Sequence, residues 1–250
     1  MSKNACSIPM PESFAKLFFV TQSHLGGAKV SHRMKQYVFG QRSDNISVFD
    51  IEKSWEKFVL AARAITGIKF PETICAVSGK TFGRKAVLKF SESVGCKPIT
   101  SRFIPGSFTN TTVKGSIEPR LIIVSDPVFD KQAINEASMV NCPIIAFCNT
   151  DASLSNVDIA IPINNRSPRA IGASFFILSK LVNYIKHGDG LEDNMKNVEL
   201  FFFRDPIELE KLLEEHIAES KVQFAPAAPQ CDEGDFGRSA IETETGSGWE

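Results

Sequence analysis

Tyrosine and tryptophan are scarce in this 250-residue chain, two of each against 20 phenylalanines. Aromatics that combine a flat face with a polar handle are the usual parts of a stacking platform, so this composition assigns the rings to the core. No apolar run approaches the roughly 20 residues that a membrane-spanning helix needs. The N-terminus lacks the charged stretch and apolar segment of a signal peptide. The six cysteines (Cys6, Cys75, Cys96, Cys142, Cys148, Cys231) form no C-x-x-C pair, and no histidines accompany them at metal-ligand spacing. A disulfide framework and a zinc site are therefore not expected; a reducing compartment is. No G-x-G-x-x-G follows an apolar run and no G-x-S-x-G occurs, which removes the dinucleotide fingerprint and the nucleophile elbow. Internal repeats are also lacking.

Charge is balanced overall, with a net of −1, but unevenly placed. Residues 1–90 hold 14 Lys/Arg against 6 Asp/Glu, residues 91–190 hold 9 against 8, and residues 191–250 hold 5 against 15. A basic first third and an acidic end point to two kinds of partner, one polyanionic and one basic.

The apolar pattern is that of a parallel α/β domain. Leu121 to Val124 and Ile144 to Phe147 are short continuous apolar runs, as in strands covered on both faces. Between them Ala133, Ala137 and Val140 recur at helical spacing until Pro143, which completes a βαβ unit. Thr73 to Val77, Pro98 to Thr100 and Asp158 to Ile161 read as further strands. Tyr37 to Phe39 and Ile46 to Phe49 read as a hairpin. Helices are expected from Pro11 to Gln22, after the Asp50 cap to Gly67, from Phe82 to Val94, from Ser167-Pro168 to about His187, and from Asp205-Pro206 onward. The last would carry Leu209, Leu212, Leu213 and Ile217 on one side, and from Phe224 the composition is that of a disordered end.

Several motifs resemble sites without completing one. Ser78-Gly79-Lys80-Thr81 imitates a phosphate-binding loop, but Ile74 stands where its first glycine belongs. Asp126 and Asp151 fall where catalytic carboxylates sit in α/β enzymes, yet both lie in turns where Asp accepts local backbone hydrogen bonds. His24 reads as a structural histidine. The basic residues say more. Lys29, His32, Arg33, Lys35 and Arg42 fill a polar stretch between the first helix and the hairpin. Lys80, Arg84, Lys85 and Lys89 cluster on and before a helix, Arg102, Lys114 and Arg120 surround a loop, and Arg166 and Arg169 flank a helix N-terminus. Structured RNA is bound mainly through phosphates and shape, which such a scattered basic set suits.

The stretches P-R-L-I-I-V-S-D-P, N-E-A-S-x-V-N-x-P-I-I-A-F-C-N-T-D and R-F-x-P-G-S-F-T-N resemble the universal small-subunit ribosomal protein uS two family. More narrowly they resemble its eukaryotic and archaeal branch, the SA or laminin receptor precursor group. Ser23 to Gly26, Trp55 to Ile65, Gly83 to Phe90, Val157 to Asn165 and Phe202 to Pro206 extend the resemblance over roughly residues 10 to 210. It implies a three-layer flavodoxin-like domain, mostly parallel, with helices on both faces and an acidic C-terminal extension. It further implies a non-enzymatic constituent of the small ribosomal subunit, required for its assembly and for translation. The expected boundaries are a disordered stretch at 1–10, the α/β domain at 11–203, and the acidic helix and tail at 204–250.

The expected RNA-binding residues are Lys29, Arg33, Lys35, Arg42, Lys80, Arg84, Lys85, Lys89, Arg102, Lys114, Arg166 and Arg169. Glu208, Glu210, Glu214 and Glu215 would meet a neighbouring ribosomal protein. Neither catalytic residue, metal, cofactor, membrane nor small-molecule substrate is expected. The location expected is the cytoplasmic ribosome, with an assembly stage in the nucleus or nucleolus for a eukaryotic source. Animal members of the family carry repeated acidic-tryptophan segments in a longer tail, of which Gly248-Trp249-Glu250 resembles one. The alternatives are a ligand-binding or enzymatic α/β protein, and a laminin-binding cell-surface protein.

Overall fold

The computed structural model describes residues 8–113, 115–188, 190–191 and 195–223, with backbone alone for Lys196 and residues 215–223. Of the disorder expected for residues 1–10, residues 1–7 lie outside the described residues, as do the stretch from Phe224 onward, Lys114 and Gly248-Trp249-Glu250. Residues 8–10 are held against the domain, the Ile8 carbonyl accepting from Trp55 Nε1 at 2.8 Å and Ile8 and Met10 packing on the core. The chain divides into two units, Met1–Phe203 and Arg204–Glu250.

In the first unit, five short runs of apolar residues pair side by side. Ile74–Val77 (here β3), Lys97–Ile99 (β4), Leu121–Val124 (β5), Ile144–Cys148 (β6) and Ile159–Pro162 (β7) form one sheet. Its order is β4-β3-β5-β6-β7 and every pair is parallel, with Cys75 opposite Ile122, Ile122 opposite Ile144 and Ile145 opposite Ile159. Counted among the parallel strands alone, the order is 2-1-3-4-5, the doubly wound flavodoxin-like arrangement the resemblance implies. Val38–Gln41 (β1) and Ser47–Phe49 (β2) make the separate antiparallel hairpin.

Because β3, β5 and β6 are buried on both faces, successive residues feed two cores. Ile74, Ala76, Ile123, Ile145, Phe147 and Ile161 pack with Glu12–Val20 (α1), Ile51–Thr66 (α2), Thr81–Val94 (α3) and Pro168–His187 (α5). Phe147 lies at the centre, its ring centroid 6.2 Å from Phe58 and 4.8 Å from Phe175. On the opposite face, Cys75, Val77, Ile122, Val124, Ala146 and Cys148 pack with Lys131–Met139 (α4), with Met34 of the 3-10 turn His32–Tyr37, with Phe49 at the end of β2, and with Phe103 and Phe108 from a loop. Burial pushes the Cys75 thiol up to about 11; in the strands both Cys75 and Cys148 serve as small apolar residues.

Local signals set the ends. Asp50 accepts from the Glu52 amide at 3.2 Å and starts α2. Gly95, at φ 85, closes α3. Two ends depart from the periodicity. Helix α4 stops at Met139, one residue short of Val140, because Asn141 adopts φ 55 and Cys142 N–H reaches back to the Ala137 carbonyl. Ser167 precedes α5 without a side-chain cap bond, so Pro168 at the first helical position is the start signal that operates there.

Among its described residues the second unit has the helix Pro206–Gln223 (α6). Glu208, Glu210 and Glu214 are exposed on it, as are Ile207, Leu212 and Leu213. No described helix is long and apolar enough to cross a membrane.

Candidate nucleic-acid interface

In a sheet of this order a ligand ordinarily sits beyond the carboxyl ends of the strands, at the crevice between β3 and β5. Here that crevice is occupied by the chain's own side chains. The Gly79 N–H, which would face a phosphate in a true phosphate-binding loop, donates to the Asp130 carboxylate at 3.0 Å. Lys80 forms an ion pair with Asp126 and donates to the Asn165 carbonyl at 3.1 Å. Ser125 Oγ donates to Ser78 Oγ at 2.9 Å beneath them. Two carboxylates thus stand where an anionic ligand would be drawn in. Asp130 is raised to about 6, chiefly by burial, with Asp126 adding to the effect and the Gly79 N–H and Lys80 opposing it.

The neighbouring strand end is closed in the same way. Thr150 Oγ1 accepts from the Gly27 N–H at 2.8 Å, and the Thr150 carbonyl accepts from Ser31 N–H at 2.8 Å. A Cβ on Gly26 would come 2.4 Å from Thr150 Cγ2, so the Ser23–Ser31 segment crosses β6 at contact distance only because glycine is there. Asp151 pairs with Arg166 rather than accepting a backbone bond of its own turn. Asp126 does take the turn role, accepting from Val128 N–H at 2.9 Å, besides its pairing with Lys80. His24 faces the Phe18 carbonyl at 3.3 Å and Phe19, a structural setting.

Parallel topology collects much of the basic set on this one edge. Lys80, Arg102 and Arg166 follow β3, β4 and β7; Arg84 and Lys85 lie at the start of α3, Arg169 at the start of α5, and Lys29 on the segment over Thr150. Arg33 and Lys35 project from the 3-10 turn His32–Tyr37, which is seated on the α4 side by buried Met34. Lys29, Arg33, Lys35, Arg84, Arg102 and Arg169 are exposed and form no ion pair among the described residues. Lys80 and Arg166 are held by Asp126 and Asp151. Arg42 sits apart at the hairpin turn, 3.8 Å from Asp44, and Lys89 further along α3, 2.7 Å from Glu92.

Three groups escape the sequence reading. Phe129 and Val128 are about 60 % exposed, between Asp126 and Asp130, where a chain read by periodicity shows only a turn. Beside them runs a groove of about 650 Å³, bordered by Gly79, Arg84, Arg102, Phe129, Asp130 and Gln132. Glu136, buried on α4, accepts from the Gly106 N–H at 2.8 Å and so pins the R-F-I-P-G loop, with Arg102 at its start, against the domain. No local pattern marks any of these, because each depends on residues brought together by the sheet.

The fold is thus a doubly wound α/β domain whose β3/β5 crevice is filled by its own side chains, with unpaired cations, among the described residues, around that edge. A family model described as ribosomal protein S2 matches residues 19–118 and 113–188. The small ribosomal subunit protein uS2 of Enterocytozoon bieneusi (strain H348) is 58% identical over 232 residues, 93% of this chain and 97% of that protein. The uS2 proteins of Zygosaccharomyces rouxii, 45% identical over 82% of each chain, and of Ornithodoros parkeri, 40% identical over 98% of this chain and 82% of its own, agree. This chain belongs to the ribosomal protein S2 family.

Proposed function

We propose that this protein is a structural constituent of the small ribosomal subunit that holds ribosomal RNA along the carboxyl edge of its sheet. Membership of the ribosomal protein S2 family carries the ribosomal part of this reading. The observation that carries the RNA part is the gathering of unpaired Lys29, Arg33, Lys35, Arg84, Arg102 and Arg169 at and beside one edge. Each phosphate neutralised there releases counterions and adds affinity without regard to sequence, while the rigid sheet fixes the register of the contacts. Lys80 and Arg166 serve that face indirectly, by tying together the strand ends beside which the unpaired cations stand.

Glu208, Glu210 and Glu214 on α6, with Glu215, suit a basic neighbouring ribosomal protein, since RNA would repel them. A role in subunit assembly follows from holding RNA in a fixed shape. No chemical step is needed for any of this, and the occupied β3/β5 crevice disfavours a nucleotide-dependent enzyme. The test is sedimentation of a cell lysate on sucrose gradients at low and moderate salt, following the protein by blot. Migration with small subunits at both salts supports the reading; confinement to the light fractions contradicts it.

A further inference from the structure

The groove beside α3 combines features that the rest of the edge does not. Phe129 is 60 % exposed, yet its turn is fastened on both sides: Val128 N–H to Asp126 Oδ1 at 2.9 Å, and Asp130 through its carboxylate to Gly79 N–H at 3.0 Å. The ring itself rests on glycine, since a Cβ at residue 79 would lie 2.7 Å from Phe129 Cε1. An exposed ring held this firmly loses little freedom when something stacks on it. Arg84 and Arg102 border the same groove and form no ion pair among the described residues. Gln132 donates its amide N–H to Glu136 Oε1 at 2.9 Å, which leaves its carbonyl as an acceptor.

We propose that this groove seats one unpaired nucleotide of the ribosomal RNA, with its base on the ring of Phe129 and its phosphate on Arg84 and Arg102. The proposal rests on the ribosomal reading above and adds a mode of recognition to it. Unstacked bases in RNA loops are held in this manner, on aromatic faces with guanidinium groups beside them. Two uncompensated cations favour a phosphate-bearing occupant over a protein loop. Asp130 also borders the groove and repels a phosphate, but its carboxylate is engaged by the Gly79 N–H at 3.0 Å, and the two guanidinium groups of Arg84 and Arg102 outweigh its single charge. The exposed Val128 beside Phe129 offers a second apolar surface to the sugar or base.

The experiment uses small subunits from cells whose sole copy of the protein is wild type, Phe129→Leu, Phe129→Trp or Arg102→Gln. Gradient fractions establish incorporation, and 2′-hydroxyl acylation then reads every ribosomal RNA nucleotide. The expected result is normal incorporation of Phe129→Leu and a rise of about ten-fold in reactivity at one nucleotide or a few adjacent ones. Phe129→Trp restores protection, and Arg102→Gln exposes the same nucleotides. Should Phe129→Leu fail to enter subunits, the Arg102→Gln profile decides, because that side chain is exposed and unpaired. Unchanged reactivity at all positions, the outcome if a neighbouring protein fills the groove, overturns the proposal. So does a rise that Phe129→Trp leaves in place. Loss of wild-type protein from the subunits would instead refute the ribosomal reading itself.

Discussion

The Lys80 ammonium is paired with the Asp126 carboxylate at the junction of β3 and β5, and both side chains are largely withdrawn from solvent, 20% and 7% exposed. The pair stands where this fold usually admits a ligand, and it converts a potential binding crevice into a brace between two strand ends. Its partners lie far away in the chain: Lys80 and Asn165 are 85 residues apart, Gly79 and Asp130 51.

Breaking one side of this brace should be worse than removing both. Lys80→Met leaves a buried, uncompensated carboxylate, and its expected loss is about 3 kcal/mol. Lys80→Met combined with Asp126→Asn removes the charge while an acceptor remains for Val128, so the double variant should recover much of that loss. Urea unfolding midpoints measure both. Losses that simply add would show that the two groups do not interact.

Gly79 is required by contact, not by backbone torsion. An added methyl meets Asp130 Oδ1 at 2.7 Å and Phe129 Cε1 at 2.7 Å, so Gly79→Ala must push the Phe129 turn away. The expected destabilisation is about 1–3 kcal/mol. Gly40→Ala is the control: nothing lies within 4 Å of its Cβ position, and it should be neutral or slightly stabilising. Thermal unfolding of the two variants compares them directly.

Asp130 gives the fold a pH dependence of unusual sign. Its folded value of about 6 lies above the ordinary 3.8, so between those values the native state holds the proton more tightly than the unfolded chain does. This group's contribution therefore improves as pH falls through 6 towards 4 and is lost as pH rises through 6. Asp130→Asn keeps an acceptor for Gly79 without the buried charge. It should be more stable than wild type at pH 7 by on the order of 2 kcal/mol, with the advantage fading by about pH 4. Equilibrium unfolding at pH 4, 5.5 and 7 reads the effect; an advantage independent of pH would argue against the buried charge as its cause.

The sheet was open to sequence reading because burial on both faces writes itself as unbroken apolar runs, as at Leu121–Val124 and Ile144–Cys148. The hairpin, the Asp50 and Gly95 caps and Pro168 were legible for equally local reasons, whereas Ser167 makes no cap bond. Val140 was not, because the positive φ of Asn141 ends α4 one residue before the apolar period does. The basic residues could be found singly but not sorted. Which are neutralised depends on Asp126 meeting Lys80 and Asp151 meeting Arg166, contacts that only the assembled strand order creates. Phe129 was hidden for the converse reason. Phenylalanine is abundant here and serves the core at most described positions, and nothing local distinguishes Phe129, on its exposed and fastened turn, from the others.

The binding mode predicts a salt dependence. RNA affinity of the purified protein should fall with rising salt, and Arg84→Gln or Arg102→Gln should each reduce the slope of log affinity against log salt by about one. Arg42→Gln, whose partner is Asp44, should leave the slope nearly unchanged. Fluorescence anisotropy with small-subunit ribosomal RNA across a salt series measures all three.

The most direct test sets one edge of the sheet against the other. Arg84→Glu/Arg102→Glu/Arg169→Glu reverses charge at the carboxyl edge, and Lys69→Glu/Lys97→Glu/Arg120→Glu does so at exposed positions near the amino edge. Both proteins are followed on sucrose gradients after their folding is checked by circular dichroism. The account predicts that the first moves to the light fractions while the second stays with small subunits. Retention of the first, or equal loss of both, would contradict an RNA face on the carboxyl edge.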